Sequence, residues 1–459
     1  LVAVAFFMES LDTTILNTAV PSIAAALRVA PLSMKSVLAS YTLSLAVFIP
    51  ISGWMADRFG TRTVFASAIG IFTLGSVFCG LSTNIHVLVA CRILQGCGGA
   101  MMVPVGRLTL VRTFDKSELI RAMSFVAIPS LVAPMLGPLA GGLIVAHFHW
   151  SVIFFLNVPI GLLGLLMVHL HLPDYRAAVT HPLDLIGLIL FGSGVALLSY
   201  VLEIFGEHTL SLGEILGLLG ISAVLLLGYG LHARKTEFPL LELSLLRIRT
   251  FRAAVSGGFF ARLGLGGIPF LFPLLYQIGL GFSPVESGMM MMPQAIAAMS
   301  LKITMPRILA AFGYRGVLIS NTVMLGLLIL LFATIGVATP VWMIVMEVFF
   351  FGFLTSLQFT SMNTLVYSDV DETQTSSAST IASTAQQMSI SFGVASASLA
   401  TAIFVPDRFH SNPHEMVYGI QHAFLFLGGM TLLSTIVFLG LKPGDGSKVS
   451  RQKPWEHAG

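Results

Sequence analysis

The sequence predicts an all-α integral membrane protein of about fourteen transmembrane helices, set out as two six-helix bundles with one additional pair between them. Three observations carry that prediction. Of the 459 residues, 56% are hydrophobic and only 10% are charged, with a mean hydropathy of +0.90. An ordinary soluble domain carries about 25% charged residues, so too few charges remain here to clothe a soluble surface, and lipid must cover much of the outside. Apolar runs of roughly 20 residues, the length that crosses the hydrocarbon, recur along the whole chain. The basic residues then fall predominantly on one side of those runs.

The first bundle, 1–171, reads as helices over 1–26, 36–56, 63–82, 86–111, 118–146 and 151–171. Residues 172–252 hold the additional helices, 183–204 and 213–232, and a charged linker, 233–252. The second bundle, 253–459, reads as helices over 253–278, 285–305, 315–336, 340–366, 376–404 and 418–441, then a short tail. Glycine (44) and methionine (21) are abundant, which suits helices that approach closely and fill irregular contacts. With the N-terminus in the cytoplasm, 19 of the 24 basic residues face that side. Only Arg28, Lys35 and Arg408 face outward, while Arg92 and Arg262 lie inside helices. Cytoplasmic loops carry the Lys/Arg excess, and one missed helix would invert every later loop. Both termini are therefore expected in the cytoplasm, in a plasma membrane of bacterial inner-membrane type. The first segment is too long and too acidic for a cleaved signal peptide, and a chain opening on Leu1 is expected to lack a short leading tail.

A repeat supports the two-bundle division. Phe59-Gly60-Thr61-Arg62 follows the second helix and Phe312-Gly313-Tyr314-Arg315 follows the tenth. With 183–232 counted as an insert, both fall after the second helix of a six-helix half, and duplicated halves with a midplane site are a common transporter plan. The net charge of +3 is too small to suggest nucleic acid. Cys79, Cys91 and Cys97 lie in apolar runs without metal-ligand spacing and read as packing residues. His147/His149 and His169/His171 sit at helix ends and read as interfacial, so no metal site is expected.

Five segments carry a family resemblance. Leu11-Asp12-Thr13-Thr14-Ile15-Leu16-Asn17-Thr18-Ala19-Val20-Pro21 lies in helix one, and Gly53-Trp54-Met55-Ala56-Asp57-Arg58-Phe59-Gly60-Thr61-Arg62 between helices two and three. Arg92-Ile93-Leu94-Gln95-Gly96-Cys97-Gly98-Gly99-Ala100 lies in helix four, Gly137-Pro138-Leu139-Ala140-Gly141-Gly142 in helix five, and Phe154-Phe155-Leu156-Asn157-Val158-Pro159-Ile160-Gly161 opens helix six. Together they resemble the signature motifs of the major facilitator superfamily, specifically its fourteen-helix drug/proton antiporter branch. The resemblance is close over the first half and mainly architectural over the second. It implies a two-bundle fold, alternating access and proton-coupled efflux.

The resemblance ties an acid at the position of Asp12, and the arginine at Arg92, to proton coupling. Physically, a charge buried like Arg92 costs about 2.5–3.5 kcal/mol on insertion scales unless it is paired. Asp12, and Glu9 one turn away on the same face, are its candidate partners. A permanent ion pair that only fixes helix packing is the competing account. The loop with Gly53, Asp57, Arg58, Gly60 and Arg62 is expected to form a latch: Gly53 lets helix ends approach, Gly60 supplies unusual backbone angles, and Asp57 faces a helix N-terminus of the other half, the polar start Thr375-Ser376-Ser377. A plain basic topology anchor is the alternative. Gly137, Pro138, Gly141 and Gly142 give helix five a kink and a smooth packing face; in the family this favours export. Glu347, Asn17, Gln95 and Arg262 are the candidate substrate-binding residues. Glu347 stands deep in an apolar run, either binding a cationic substrate or a second proton, or else protonated and packed, or paired with Arg262. Met289 to Met292 with Phe270 and Phe272 would form a pliable apolar binding surface, or face lipid.

The expected function is a proton-coupled antiporter exporting small amphipathic or lipophilic compounds, drugs and dyes among them. The alternative is a dedicated exporter of a metabolite, fatty acid or siderophore. An integral-membrane enzyme is disfavoured, because no phosphate-binding loop, metalloprotease motif or nucleophile–base pair is present. The longest loop, about 20 residues by the spacing that leaves roughly that length between spans, is too short for a sensor domain. No cofactor beyond the proton is expected; the partners are a small-molecule substrate and lipid, and the chain is expected to act as a monomer.

Overall fold

The computed structural model describes residues 1–446 apart from 115, 177–180, 205–210, 372, 373 and 405–412. Arg408, Lys448, Arg451 and Lys453 of the charge argument lie outside the described residues, as do the side chains of Lys116, Arg121 and Lys302. Helices α1 (Val2–Leu27), α2 (Pro31–Phe59), α3 (Thr61–Gly80), α4 (Ile85–Thr113), α5 (Lys116–His147) and α6 (Val152–His171) make the first bundle. The insert is α7 (Leu185–Ile204) and α8 (Leu212–Ala233). The second bundle holds α9 (Arg249–Gly279), α10 and α11 as the two limbs of Pro284–Phe332, α12 (Val341–Leu365), α13 (Thr375–Phe404) and α14 (Pro413–Leu439).

Eleven spans are long and apolar enough to cross a membrane on composition alone; α1, α5 and α10 complete the fourteen among the described residues. The elements bend where the sequence puts proline or glycine. A short 3₁₀ turn, Ile49–Ile51, interrupts α2 at Pro50, where the ring removes a backbone donor. α9 is broken after Leu265 and ends in a π turn, Leu275–Gly279. A loop was expected between α10 and α11, yet helical hydrogen bonding continues through it and the break is confined to Gly313 (φ 66°, ψ 166°). Only glycine adopts such angles at little cost, so one residue replaces a loop.

The backbone carries the internal repeat. Gly60 (φ 90°) after α2 and Gly313 (φ 66°) after α10 are 253 residues apart, and so are Arg28 (φ 55°) after α1 and Gly281 (φ 73°) after α9. The two halves thus match turn for turn once the insert is set aside, which pairs α1, α3, α4 and α6 with α9, α11, α12 and α14.

The hydrophobic core is not one body along the molecule. At the end away from the termini a single cluster joins the halves, including Ile15, Val20, Leu32 and Phe154 of the first and Leu271, Met291 and Phe424 of the second. At the end carrying the termini the buried residues divide into two clusters, one in the first bundle and one in the second bundle with the insert. Direct contacts between halves follow the same division. Ser398 Oγ donates to the Leu32 carbonyl at 3.2 Å, Ser391 Oγ to Ala39 at 3.2 Å, and Gln277 Nε2 to Thr18 at 2.8 Å. The molecule is closed at the far end and parted at the end of the termini. α7 packs on both α2 and α13, so the insert lies along the seam between the halves.

Candidate functional site

In the first bundle, five polar side chains from four helices meet. The Asp12 carboxylate of α1 pairs with Arg92 Nη1 of α4 at 2.6 Å, and both side chains are 1% exposed. Gln95 Nε2 and Asn157 Nδ2 each donate to Asp12 Oδ1 at 2.9 Å. Arg92 Nη1 donates to Gln95 Oε1 at 2.7 Å, and Gln95 Nε2 also reaches Ser76 Oγ of α3 at 2.7 Å. The guanidinium lies over the Tyr41 ring, 4.3 Å from its centroid. Helical spacing explains the convergence: Arg92 and Gln95 are three residues apart and share a face. A buried charge stripped of its partner is expensive, while a paired and fully hydrogen-bonded one is tolerated. Every donor here therefore bears on whether Asp12 can hold its charge.

The sequence reading left contact between Asp12 and Arg92 open; the two touch. Gln95, expected at a substrate, is instead wholly buried inside this network. Ser76 and Asn157 were not anticipated as site residues, although Asn157 stood in a quoted motif. Glu9 lies one turn nearer the terminal end, half-buried, with Arg107 and Asp12 as the charges acting on it. Asn17 is half-buried one turn beyond Asp12 on the other side.

The loop after α2 differs from its expectation. Asp57 does not face the start of α13; it pairs with Arg112 at the end of α4 in the same half, at 2.8 Å. The arginine of its own bundle takes the carboxylate. Gly53 does not mediate a close approach either, since a side chain there would meet nothing within 4 Å. Arg58 is exposed. Arg62 donates to the His169 carbonyl, and its amide to Asp174 Oδ1 at 3.2 Å. Gly60 takes the positive φ already described, beside Asp174.

Helix α5 presents its small residues to two neighbours. A methyl group at Gly137 or Gly141 would strike Thr14 or Ile15 of α1, and one at Gly142 would strike the Pro284 carbonyl of α10. Gly288 of α10 meets the Pro138 carbonyl in the same way. This face thus touches the helix that carries Asp12 and, across the seam, the second bundle.

In the second bundle Arg262 is 4% exposed and donates to Asn363 Oδ1 at 2.8 Å; the anticipated pairing with Glu347 is not made. Their chain neighbours Ala261 and Val348 belong to different core clusters, at opposite ends of the bundle, which keeps the two apart. Glu347 is 5% exposed. Phe270 and Phe272 are core residues, and Met290 and Met291 are buried between the halves, leaving Met289 exposed. The four methionines thus divide between an interior and an exterior face, with Met292 half-buried. The three cysteines are free, and no group of metal-binding side chains occurs among the described residues.

The sequence profile of the Major Facilitator Superfamily matches residues 2–394. A protein of Pectobacterium atrosepticum is 40% identical over 445 residues, covering 96% of this chain and 93% of its own length. One of Shigella sonnei is 43% identical over 404 residues, covering 88% and 86%. Both bear the name MdtD, which ascribes multidrug resistance to them. Among solved structures, a D-xylose–proton symporter superposes with a TM-score of 0.68 at 14% identity, covering 97% of each chain. The POT family transporter PepTSo gives 0.69 at 16%, covering 95% of this chain and 96% of its own. These structures share the fold. The chain belongs to the Major Facilitator Superfamily and is a multi-pass membrane transporter, not an enzyme.

Proposed function

We propose that the chain is a proton-coupled antiporter that exports small amphipathic or lipophilic compounds, drugs and dyes among them, by alternating access. The observation that supports this most is the Asp12–Arg92 pair, sealed at 1% exposure and held by Gln95, Asn157 and Ser76. Coupling needs an acid whose charge is stabilised in one state and not in the other. Asp12 is such an acid if the network loosens as the halves rock: protonation of the carboxylate removes the attraction for Arg92, and re-pairing expels the proton. Glu9 stands between this pair and the parted end and would relay the proton. The small-residue face of α5 touches both α1 and α10, so rocking at the seam reaches Asp12 directly.

With both termini in the cytoplasm of a bacterial inner membrane, the parted end is the inward one. Substrate would enter there, past Asn17 and the polar face of α13 with Gln386 and Gln387. Relatives whose name ascribes multidrug resistance at 40–43% identity support a broad apolar cargo. A second reading, a dedicated exporter of a metabolite, fatty acid or siderophore, is favoured by Arg262, which has no carboxylate partner among the described residues.

Energised inside-out vesicles test the proposal through proton release when ethidium is added, comparing wild type with Asp12→Asn. Collapse of the pH gradient in wild type and none in the variant is expected. Collapse that survives the substitution moves the proton site away from Asp12, and no collapse with any lipophilic cation leaves the second reading.

A further inference from the structure

The repeat sets α9, α11, α12 and α14 where α1, α3, α4 and α6 stand in the first bundle, yet the two four-helix junctions are filled differently. One holds the polar network around Asp12. The other holds an aromatic cluster: Phe272 of α9 stands 6.0 Å from both Phe351 of α12 and Phe424 of α14, and Phe332 of α11 stands 5.5 Å from Phe351 and 5.6 Å from Phe424. Tyr276 stacks on Phe272 at 5.5 Å. Each of these rings is at most 1% exposed.

Glu347 lies four residues before Phe351 on α12, hence on the same helical face, and 5% of it is exposed. Neither carboxyl oxygen has a hydrogen-bond partner, and neither does the Tyr276 hydroxyl. The Tyr276 hydroxyl is the titratable group that feels its charge, and no charged side chain among the described residues acts on Glu347. The contrast with Asp12 is sharp in chemical terms: that acid has a guanidinium and two amide donors, this one has none. A bare carboxylate in such a place is a buried, unpaired charge, which proteins avoid at large cost. A ligand that filled the need must be very small, because the surrounding rings are closed to solvent.

Resting on the proton-coupled reading, we infer that Glu347 is a second proton-binding site, loaded in the state closed at the far end. A proton from solvent bonds to one carboxyl oxygen and neutralises it; when the helices around it part, that O–H bond breaks, the proton returns to water and the carboxylate is hydrated. Nothing else is consumed. The residue is thereby assigned to the coupling ion and not to the transported compound.

Infrared difference spectra of the purified full chain in lipid, recorded across a pH step, test this without any substrate. Wild type should show a protonated-carboxyl band that is lost in Glu347→Gln, displaced in Glu347→Asp and retained in Asp12→Asn. A Glu347→Gln spectrum identical to wild type overturns the assignment, and the aspartate variant guards against loss by misfolding. Ethidium-driven proton release in vesicles separates this from the broader proposal. If wild type moves no protons with ethidium while the band still depends on Glu347, the export reading has failed and the proton site stands.

Discussion

Asp12 and Arg92 hold one another's charge while the network around them is closed. Removing one partner of a buried, hydrogen-bonded ion pair costs about 3–5 kcal/mol, because the survivor is left charged and unpaired. Arg92→Ala is therefore expected to lower the thermal unfolding midpoint of the detergent-solubilised protein far more than an exposed substitution such as Arg58→Ala. Combining it with Asp12→Leu should recover part of the loss, and a double variant no better than Arg92→Ala would show that the pair is not what holds these helices. The charges were legible in the sequence because an acid and an arginine stand out in apolar helices. Ser76 and Asn157 were not, since uncharged polar residues are frequent in membrane helices and only the fold brings these two within 3.3 Å of each other. Gln95 was legible as polar but not in its role, which depends on the face it shares with Arg92.

At the scale of elements, the seam between α5 and α10 rests on side-chain absence. Overpacking a tight contact costs about 1–3 kcal/mol, and Gly142→Leu places its bulk against the Pro284 carbonyl. The cost falls only on the state in which these helices touch, so the variant should shift the population toward opening at the far end. Cysteine labelling of a far-end position such as Leu32→Cys reads this directly: labelling should accelerate, and an unchanged rate would mean that the seam yields without separating. The feet of the insert make a different kind of joint. Asp184 Oδ1 is 2.7 Å from His232 Nε2 and accepts from the Gly187 amide at 2.8 Å, while Oδ2 accepts from the Leu240 amide at 3.0 Å. Burial alone would raise its pKa, but the His232 contact and the two amides together hold it below the usual carboxylate value. A depressed folded-state pKa contributes stability that is present above about 3.9, the unfolded carboxylate value, and disappears as pH falls through the folded value. Asp184→Asn should lower stability at neutral pH, with the difference from wild type shrinking as pH falls through the folded value, so that the acid limb of the stability–pH curve flattens; a parallel, uniformly lowered curve would instead indicate lost packing. The sequence placed Asp184 and His232 at the ends of the two additional helices and Leu240 in the linker, but that this carboxylate joins them depends on how α7 and α8 lie together.

For the whole molecule, the largest departure from the sequence reading concerns a contact that belongs to one conformation. Asp57 was expected against α13, and here, in a state whose core is divided at that end, it meets Arg112. A sequence encodes both states of a two-state machine, and a single structure displays one of them. What the sequence could support was the number of helices, since hydropathy and charge asymmetry act in every conformation. The closed far end gives the state a handle. Ser398 donates to the Leu32 carbonyl across the seam at 3.2 Å, so cysteines at these two positions stand within reach of a bridging reagent. Linking Leu32→Cys to Ser398→Cys should hold the far end shut and stop exchange completely, with reductant restoring it, because opening at that end requires α2 and α13 to separate. The same linkage should leave the terminal end accessible, so labelling of a cysteine placed at Asn363 must persist in the linked protein. Exchange that continues at the wild-type rate in a fully linked sample would mean that the halves do not part along α2 and α13, and the rocking motion on which the export proposal depends would have to run along another seam.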